Sequence, residues 1–436
     1  MTYADSIQFL YGLRLFGTKL GLENTCKLAA IAGDPHRQLR FVHVAGTNGK
    51  GSSCAMLESI YRHAGLRVGL FTSPHLVSFR ERIQVNRELI SEGDVIRLVQ
   101  QIQGWLGDFS PGWHPTFFEV VAVLALRYFV ERECDLVIWE TGLGGRLDAT
   151  NIVTPLASVI TNVQFDHEKW LGDTVAEIAS EKAGIIKSGV PIITAADHPD
   201  ALTVITQVAA RQRAPLTRVS SADATEPPLD AIQLPLRGEH QKINAVLAVA
   251  TVRRLSKLIP VSEQSLRRGL ERVDWPGRLQ KHVTPDGRLV LLDGAHNPAG
   301  AQTLRDAVQS YFPGRAPALV LGVMRDKDWA GMLQILLPIA SRVLLAPVQT
   351  ERTASPDDLR LECARIRPGL DATACASLEE ALRLTEREPF VLITGSLHFI
   401  GEALELLKLL PNSAGERKLN EWDASGTPAS GAIAQP

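Results

Sequence analysis

The sequence predicts an α/β protein of two domains with mostly parallel sheets, and three observations predict it. Short, continuously apolar and β-branched runs alternate with amphipathic stretches, as expected of strands covered on both faces and joined by helices. These runs form two series, flanking a Pro-Gly break in DWPGRL (274–279). A chain of 436 residues is also too long for one ordinary core.

The first series is FVHVAG (41–46), VGLFTS (68–73), LVIWETG (136–142), ASVITNV (157–163) and VPIITAA (190–196). Between them lie helical patterns such as SSCAMLESIYRHAG (52–65) and EVVAVLALRYFVER (119–132). RGEHQKINAVLAVATVRRL (237–255) reads as a helix opening near Asn244, whose simplest role is an N-cap. The second series is RLVLLDG (288–294), ALVLGV (318–323), RVLLAPV (342–348) and FVLITGS (390–396). The boundary is placed at Pro276, giving domains 1–275 and 276–410. The polar, aperiodic residues 411–436 are expected to be a disordered tail.

Composition excludes several classes. Lys+Arg 46 against Asp+Glu 48 leaves a net charge of −2, so no global basic field exists to hold nucleic acid. Cys26, Cys54, Cys134, Cys363 and Cys375 are dispersed without CxxC spacing, which argues for free thiols in a reducing compartment. The N-terminus lacks a secretory pattern, and no run approaches the ~20 apolar residues of a membrane span. The expected address is the cytoplasm, without membrane or nucleic-acid partners.

The strongest chemical signal is AGTNGKGSS (45–53), between an apolar strand and an amphipathic helix. Its glycines allow a tight turn that presents backbone N–H groups, and the helix N-terminus adds partial positive charge. Lys50 can reach terminal phosphates and Ser52 offers a hydroxyl to magnesium. The loop departs from GxxxxGK[ST], because Val44 stands where glycine is expected and Gly51 separates Lys50 from Ser52. A phosphate loop alone names no reaction, since nucleotide sites serve kinases, switches and ligases alike.

Other residues stand where α/β sheets bind ligands. Ser73 and His75 lie past a strand end, Glu140 ends LVIWE, and His167 follows Asp166 in a turn. Ser73, Glu140 and His167 would offer O, O and N donors suited to Mg²⁺. Ser73 could equally cap a helix, and His167 could be a hydrogen-bonded turn residue. A buried Glu140, by contrast, needs a partner. Lys182 could be an exposed helix lysine in an ion pair.

AGTNGKGS resembles the phosphate loop of the Mur ligase superfamily, and the whole chain resembles the folylpolyglutamate synthase/dihydrofolate synthase family. TSPHL (72–76), ERI (81–83), FFE (117–119), ETGLGGRLDATN (140–151), FDHEKWLG (165–172), SEKAGIIK (180–187), PGRL (276–279), DGAHNP (293–298), MRDKDWAG (324–331) and ITGSLHF (393–399) follow in order, over about residues 1 to 408. The resemblance implies a P-loop NTPase-like N-terminal domain and a smaller Rossmann-like C-terminal domain, the Mur ligase architecture.

It also implies roles. Asn48, Gly49, Lys50, Gly51, Ser52, Asn244, Arg278 and Asp293 would bind ATP, and Ser73, Glu140 and His167 would hold magnesium. Lys50, His167 and Lys182 would be catalytic, Lys182 as an N6-carboxylysine. Leu20, Gly21, Leu22, Phe118, Glu119, Leu147, Asp148 and Ala149 would meet the pterin, with GLGGRLDATN as a mobile loop. His296 and Asn297 would flank the cleft in a role left open.

The implied activity is ATP- and Mg²⁺-dependent addition of L-glutamate, through an acyl phosphate, to dihydropteroate and then to reduced folates. LGL within FGTKLGLENTCKLA (16–29) resembles the bifunctional bacterial form. A monofunctional folylpolyglutamate synthase is the alternative, and a non-catalytic nucleotide switch the competing class. A monomer acting on small molecules is expected.

Overall fold

Two sheets organise the chain in this computed structural model, which describes residues 1–17, 21–107, 109, 114–411 and 415–420. The first comprises β1 Phe41–Ala45, β2 Val68–Phe71, β3 Ile83–Val85, β4 Glu88–Leu89, β5 Leu136–Glu140, β6 Ala157–Ile160, β7 Ile192–Thr194 and β8 Leu216–Arg218. Their order is β4-β3-β2-β5-β1-β6-β7-β8, parallel except for β3 and β4. The second comprises β9 Gln280–Val283, β10 Leu289–Asp293, β11 Ala318–Leu321, β12 Arg342–Leu345, β13 Ala372–Ala374 and β14 Phe390–Thr394. Its order is β13-β12-β11-β14-β10-β9, with only β9 antiparallel.

The central strands β1, β2, β5, β6, β10, β11 and β14 are buried along their whole length. Both faces are covered, which is why their apolar runs are unbroken. On one face of the first sheet, Phe41, Phe71 and Trp139 pack against the helix Phe117–Glu131. On the other, Val42, Val44 and Ile138 meet the helices Lys50–His63 and Glu239–Arg254. The second sheet has its own two apolar layers, and Leu76 and Val77 of the first lobe plug into one of them.

β1 lies between β5 and β6, with β2 beyond one and β7 beyond the other. Strand order therefore reverses at β1, and the loops past the carboxyl ends of the strands splay apart there.

Two expectations are corrected. The helix expected to open near Asn244 begins at Glu239 with Gly238 as its cap, so Asn244 sits in its second turn. The disordered tail does not describe residues 415–420, where Glu416–Asn420 form a helical turn. Glu416 Oε2 accepts from Phe79 N at 2.6 Å, Ser78 Oγ at 3.0 Å and Tyr3 OH at 3.0 Å. Leu419 is buried in the first lobe's core. The expectation for the remaining tail lies outside the described residues.

Candidate functional site

The loop after β1 owes its shape to two left-handed glycines. Gly46 has φ 149°, and a Cβ there would stand 1.8 Å from Thr161 Oγ1. Gly49 caps the helix Lys50–His63 at φ 86°, and a Cβ there would meet Asn244 Oδ1 at 2.5 Å. The buried Asn244 therefore seats the loop, and its Oδ1 also accepts from Ser53 Oγ at 3.5 Å. Asn48 N donates to Asn162 Oδ1 at 2.8 Å, while Thr161 Oγ1 donates to Asn48 O at 2.7 Å. Lys50 Nζ rests on the carbonyls of Gly46 and Thr47 at 3.0 and 3.2 Å.

Gly46→Ala should thus destabilise the fold by about 1–3 kcal/mol, because the methyl must displace Thr161. Thermal unfolding with and without ADP checks this, and an unchanged melting temperature would contradict it.

A cavity of about 400 Å³ opens over this loop. Asn48, Gly49, Lys50, Gly51, Ser52, Ser73, Glu140, His167, Lys182, Asn244, Arg278 and Asp293 all line it. Lys50 of the first lobe and Arg278 and Asp293 of the second therefore share one chamber. A second cavity of about 270 Å³ adjoins it through Gly51, Ser73, Pro74, Glu140, Arg278 and Leu397.

Glu140, at the end of β5, is buried and accepts from Ser73 N at 3.0 Å. Burial pushes its pKa up to about 7, against the pull of Lys50. Lys182 is 3% exposed, which excludes an exposed ion pair, and Glu177 instead caps its own helix through Thr174. Burial, reinforced by the Lys50 charge, brings the Lys182 amine down to about 7. His167 occupies a left-handed turn at φ 54°, and burial holds its imidazole below the usual range.

Asp293, after β10, spends both oxygens on backbone. Oδ2 accepts from Leu279 N at 2.8 Å and Oδ1 from Ala295 N at 2.9 Å. The carboxylate thus fixes the loop that carries Arg278.

The lobes also touch directly across the cleft, through residues whose role sequence reasoning missed or left open. Lys327 Nζ lies 2.5 Å from Asp166 Oδ1, with side chains 10% and 7% exposed. His296 Nε2 is 3.4 Å from Asp166 Oδ2, and Asn297 Nδ2 donates to it at 3.2 Å. Burial alone would raise the Asp166 carboxyl, but the His296 hydrogen bond and the Lys327 charge hold it well below the usual range. Asn48 and Asn297 exchange amide hydrogen bonds at 3.3 Å in both directions.

The carboxylates of FDHE and the cations of MRDKD, both in strand-end loops, were the available signal for this contact. Lys327→Met should weaken the cross-cleft hold by about 3 kcal/mol, since it takes the ammonium partner from a buried carboxylate and leaves Asp166 only His296 and Asn297 across the cleft. Small-angle scattering should then report a more open pair of lobes, and an unaltered profile would contradict this.

The expected pterin residues do not line the main cavity. Leu20 lies outside the described residues. Gly21 and Leu22 lead into the helix Glu23–Ile31, which packs on the helix Phe117–Glu131 and the turn Ala149–Ile152. Glu119 is buried as the capping-box partner of Thr116 and accepts from Thr25 Oγ1 at 3.3 Å. The Phe118 ring lies where a Cβ on Gly142 would stand, at 2.5 Å. Leu147 is half-buried, Ala149 buried.

The loop expected to be mobile is tied down. Asp148 Oδ2 accepts from Gly142 N at 3.0 Å and Leu143 N at 2.8 Å, and Asn151 Nδ2 donates to Arg146 O and Gly184 O. Its other end, Gly142 to Gly144, does line the main cavity.

Two domain families match the chain: the Mur ligase middle domain over residues 44–252 and the Mur ligase glutamate ligase domain over residues 277–397. The dihydrofolate synthase/folylpolyglutamate synthase of Bacillus subtilis is 36% identical over 432 residues, spanning 93% of this chain and 99% of the relative. The Mycobacterium tuberculosis folylpolyglutamate synthase complexed with ADP and AMPPCP superposes with a TM-score of 0.84 at 29% identity, covering 93% of this chain and 99% of that one. The structure described as E. coli FolC in complex with DHPP and ADP gives 0.81 at 31% identity, covering 94% and 98%.

Proposed function

Because the chain belongs to the folylpolyglutamate synthase/dihydrofolate synthase family of Mur ligases, we propose that it joins L-glutamate to dihydropteroate and to reduced folates at the expense of ATP. One observation supports this most. A single chamber holds the phosphate loop with Lys50, the buried Glu140 and the buried Lys182, and Arg278 from the opposite lobe. A switch module would need only the first of these.

A free carboxylate is a poor electrophile, so it must be activated before an amine can displace oxygen. The pteroate carboxylate attacks the γ-phosphorus of ATP, and ADP leaves with the bridging electron pair. The amine of glutamate then attacks the acyl carbon and expels phosphate, losing a proton as the amide forms. Lys50 and the loop N–H groups neutralise charge on the transferring phosphoryl. Arg278 adds a cation from the other side, and the Asp166–Lys327 and Asn48–Asn297 contacts hold the lobes together so that water is kept from the acyl phosphate.

The residues also fit magnesium. Glu140 is a carboxylate that burial desolvates and whose pKa it pushes up, a cost that a bound cation would offset. Among the described residues no group of three or more His, Cys, Asp or Glu could hold a metal alone. Ser73, Glu140 and His167 would therefore share the ion with phosphate and water oxygens. When bound, it supplies charge neutralisation and polarises the phosphoryl oxygens. A carbamylated Lys182 would add a further carboxylate.

We assign residues 1–275 to the nucleotide-binding domain and 276–410 to the glutamate-ligase domain. No helix among the described residues is long and apolar enough to cross a membrane. The proposal is a cytoplasmic monomer.

The test is ADP release from ATP and Mg²⁺ with dihydropteroate and glutamate, each omitted in turn. Release that needs both supports the ligase, and release with neither overturns it. Mass spectrometry of products from dihydropteroate and, separately, tetrahydrofolate distinguishes the bifunctional from the monofunctional enzyme.

A further inference from the structure

His43 lies in the middle of β1, the strand at which the first sheet reverses order, and is fully buried. Its side chain projects to the same face as Phe41, away from Val42 and Val44. Nothing in the chemistry above uses it. Its Nε2 stands 2.9 Å from Thr150 Oγ1. Thr150 Oγ1 in turn donates to Asp148 Oδ1, which also accepts from Thr150 N at 3.0 Å.

The protons can be assigned by elimination. The hydroxyl has one hydrogen and gives it to the carboxylate, so its oxygen accepts from the ring. His43 is therefore the Nε2–H tautomer, and burial keeps it neutral, with its pKa brought down to about 3. Nδ1 carries a bare lone pair, buried with no hydrogen-bond partner. An apolar side chain of similar size would bear no such unpaired nitrogen. The donor at Nε2 is thus what the imidazole contributes at this position.

The relay ends at the wall of the chamber. Trp139 Nε1 donates to Thr150 O at 2.9 Å, fixing the backbone at the second link. Asp148 Oδ2 then gathers Gly142 N and Leu143 N, whose segment borders the chamber beside Lys182. We propose that His43 is a positioning residue for the pterin-bearing substrate: through Thr150 it locks the Asp148 carboxylate, and with it the 142–150 loop, in the binding geometry. This rests on the ligase reading above.

The test uses the full chain. His43→Leu and Thr150→Val break the relay at successive links. Each is expected to raise KM for dihydropteroate about tenfold while KM for ATP stays within about twofold, and the double variant should be no worse than either single one. His43→Gln, whose amide nitrogen can replace the Nε2 donor, should restore most of the affinity. Folded variants with unchanged KM for dihydropteroate, or with equal losses for both substrates, would overturn the proposal.

A second measurement needs neither variants nor turnover. Nitrogen-15 NMR of histidine in the ligand-free wild-type chain should show a neutral His43 protonated at Nε2, and a ring protonated at Nδ1 would overturn the relay. If the wild type released no ADP with either dihydropteroate or tetrahydrofolate, the ligase reading would fail, and the tautomer would still test the network alone.

Discussion

Lys50→Ala should lower kcat by about 10³-fold while leaving the melting temperature unchanged. The side chain is half-buried, and its Nζ touches only the carbonyls of Gly46 and Thr47 among the contacts described above. Its removal therefore costs the fold little. In the transition state, however, negative charge spreads over the transferring phosphoryl, and the ammonium is a preplaced cation at the loop's lip. ADP release with both co-substrates measures the loss, and differential scanning calorimetry measures the fold. Full activity in the variant would refute the assigned role.

Lys182→Ala should cost about 10²-fold in kcat and be partly rescued by acetate or formate. The reasoning begins with burial. A lysine amine in a dry site beside Lys50 loses its proton readily, and its pKa of about 7 makes it about half neutral near physiological pH. Only the neutral amine can add to CO₂. At fixed dissolved CO₂, stimulation of a CO₂-depleted wild-type enzyme should therefore be greater at about pH 8 than at about pH 6, roughly one unit either side of that value. Small acids would place a carboxylate where the carbamate otherwise stands. Absence of both rescue and CO₂ stimulation would leave Lys182 as an ordinary buried residue.

How much of this could be read from the chain depended on how local the physics was. β1, β2, β5, β6 and the main strands of the second sheet were legible because burial on two faces demands unbroken apolar runs. β4, β8, β9 and β13 were not, since these edge strands are short and partly exposed, so their residues are mixed. The phosphate loop was legible because its glycines, lysine and hydroxyl are contiguous. Asp166 and Lys327 were not, because they meet across 161 residues. Lys182 showed the same limit differently. Its helix was recognisable, but which face is buried depends on the loop at Gly145, where a Cβ would stand 2.9 and 3.0 Å from the carbonyls of Glu181 and Lys182. His43 read as one more strand residue, because its meaning lies in a hydroxyl 107 positions away.

The turn Glu416–Asn420 has a consequence for the order in which the protein can be made. The N-terminal helix needs Glu416 to satisfy Tyr3, and the core around it needs Leu419. Both emerge from the ribosome after every strand of the two sheets. A nascent chain halted before residue 416 would therefore carry its opening helix without the carboxylate that Tyr3 bonds and without the leucine that closes the core beside it.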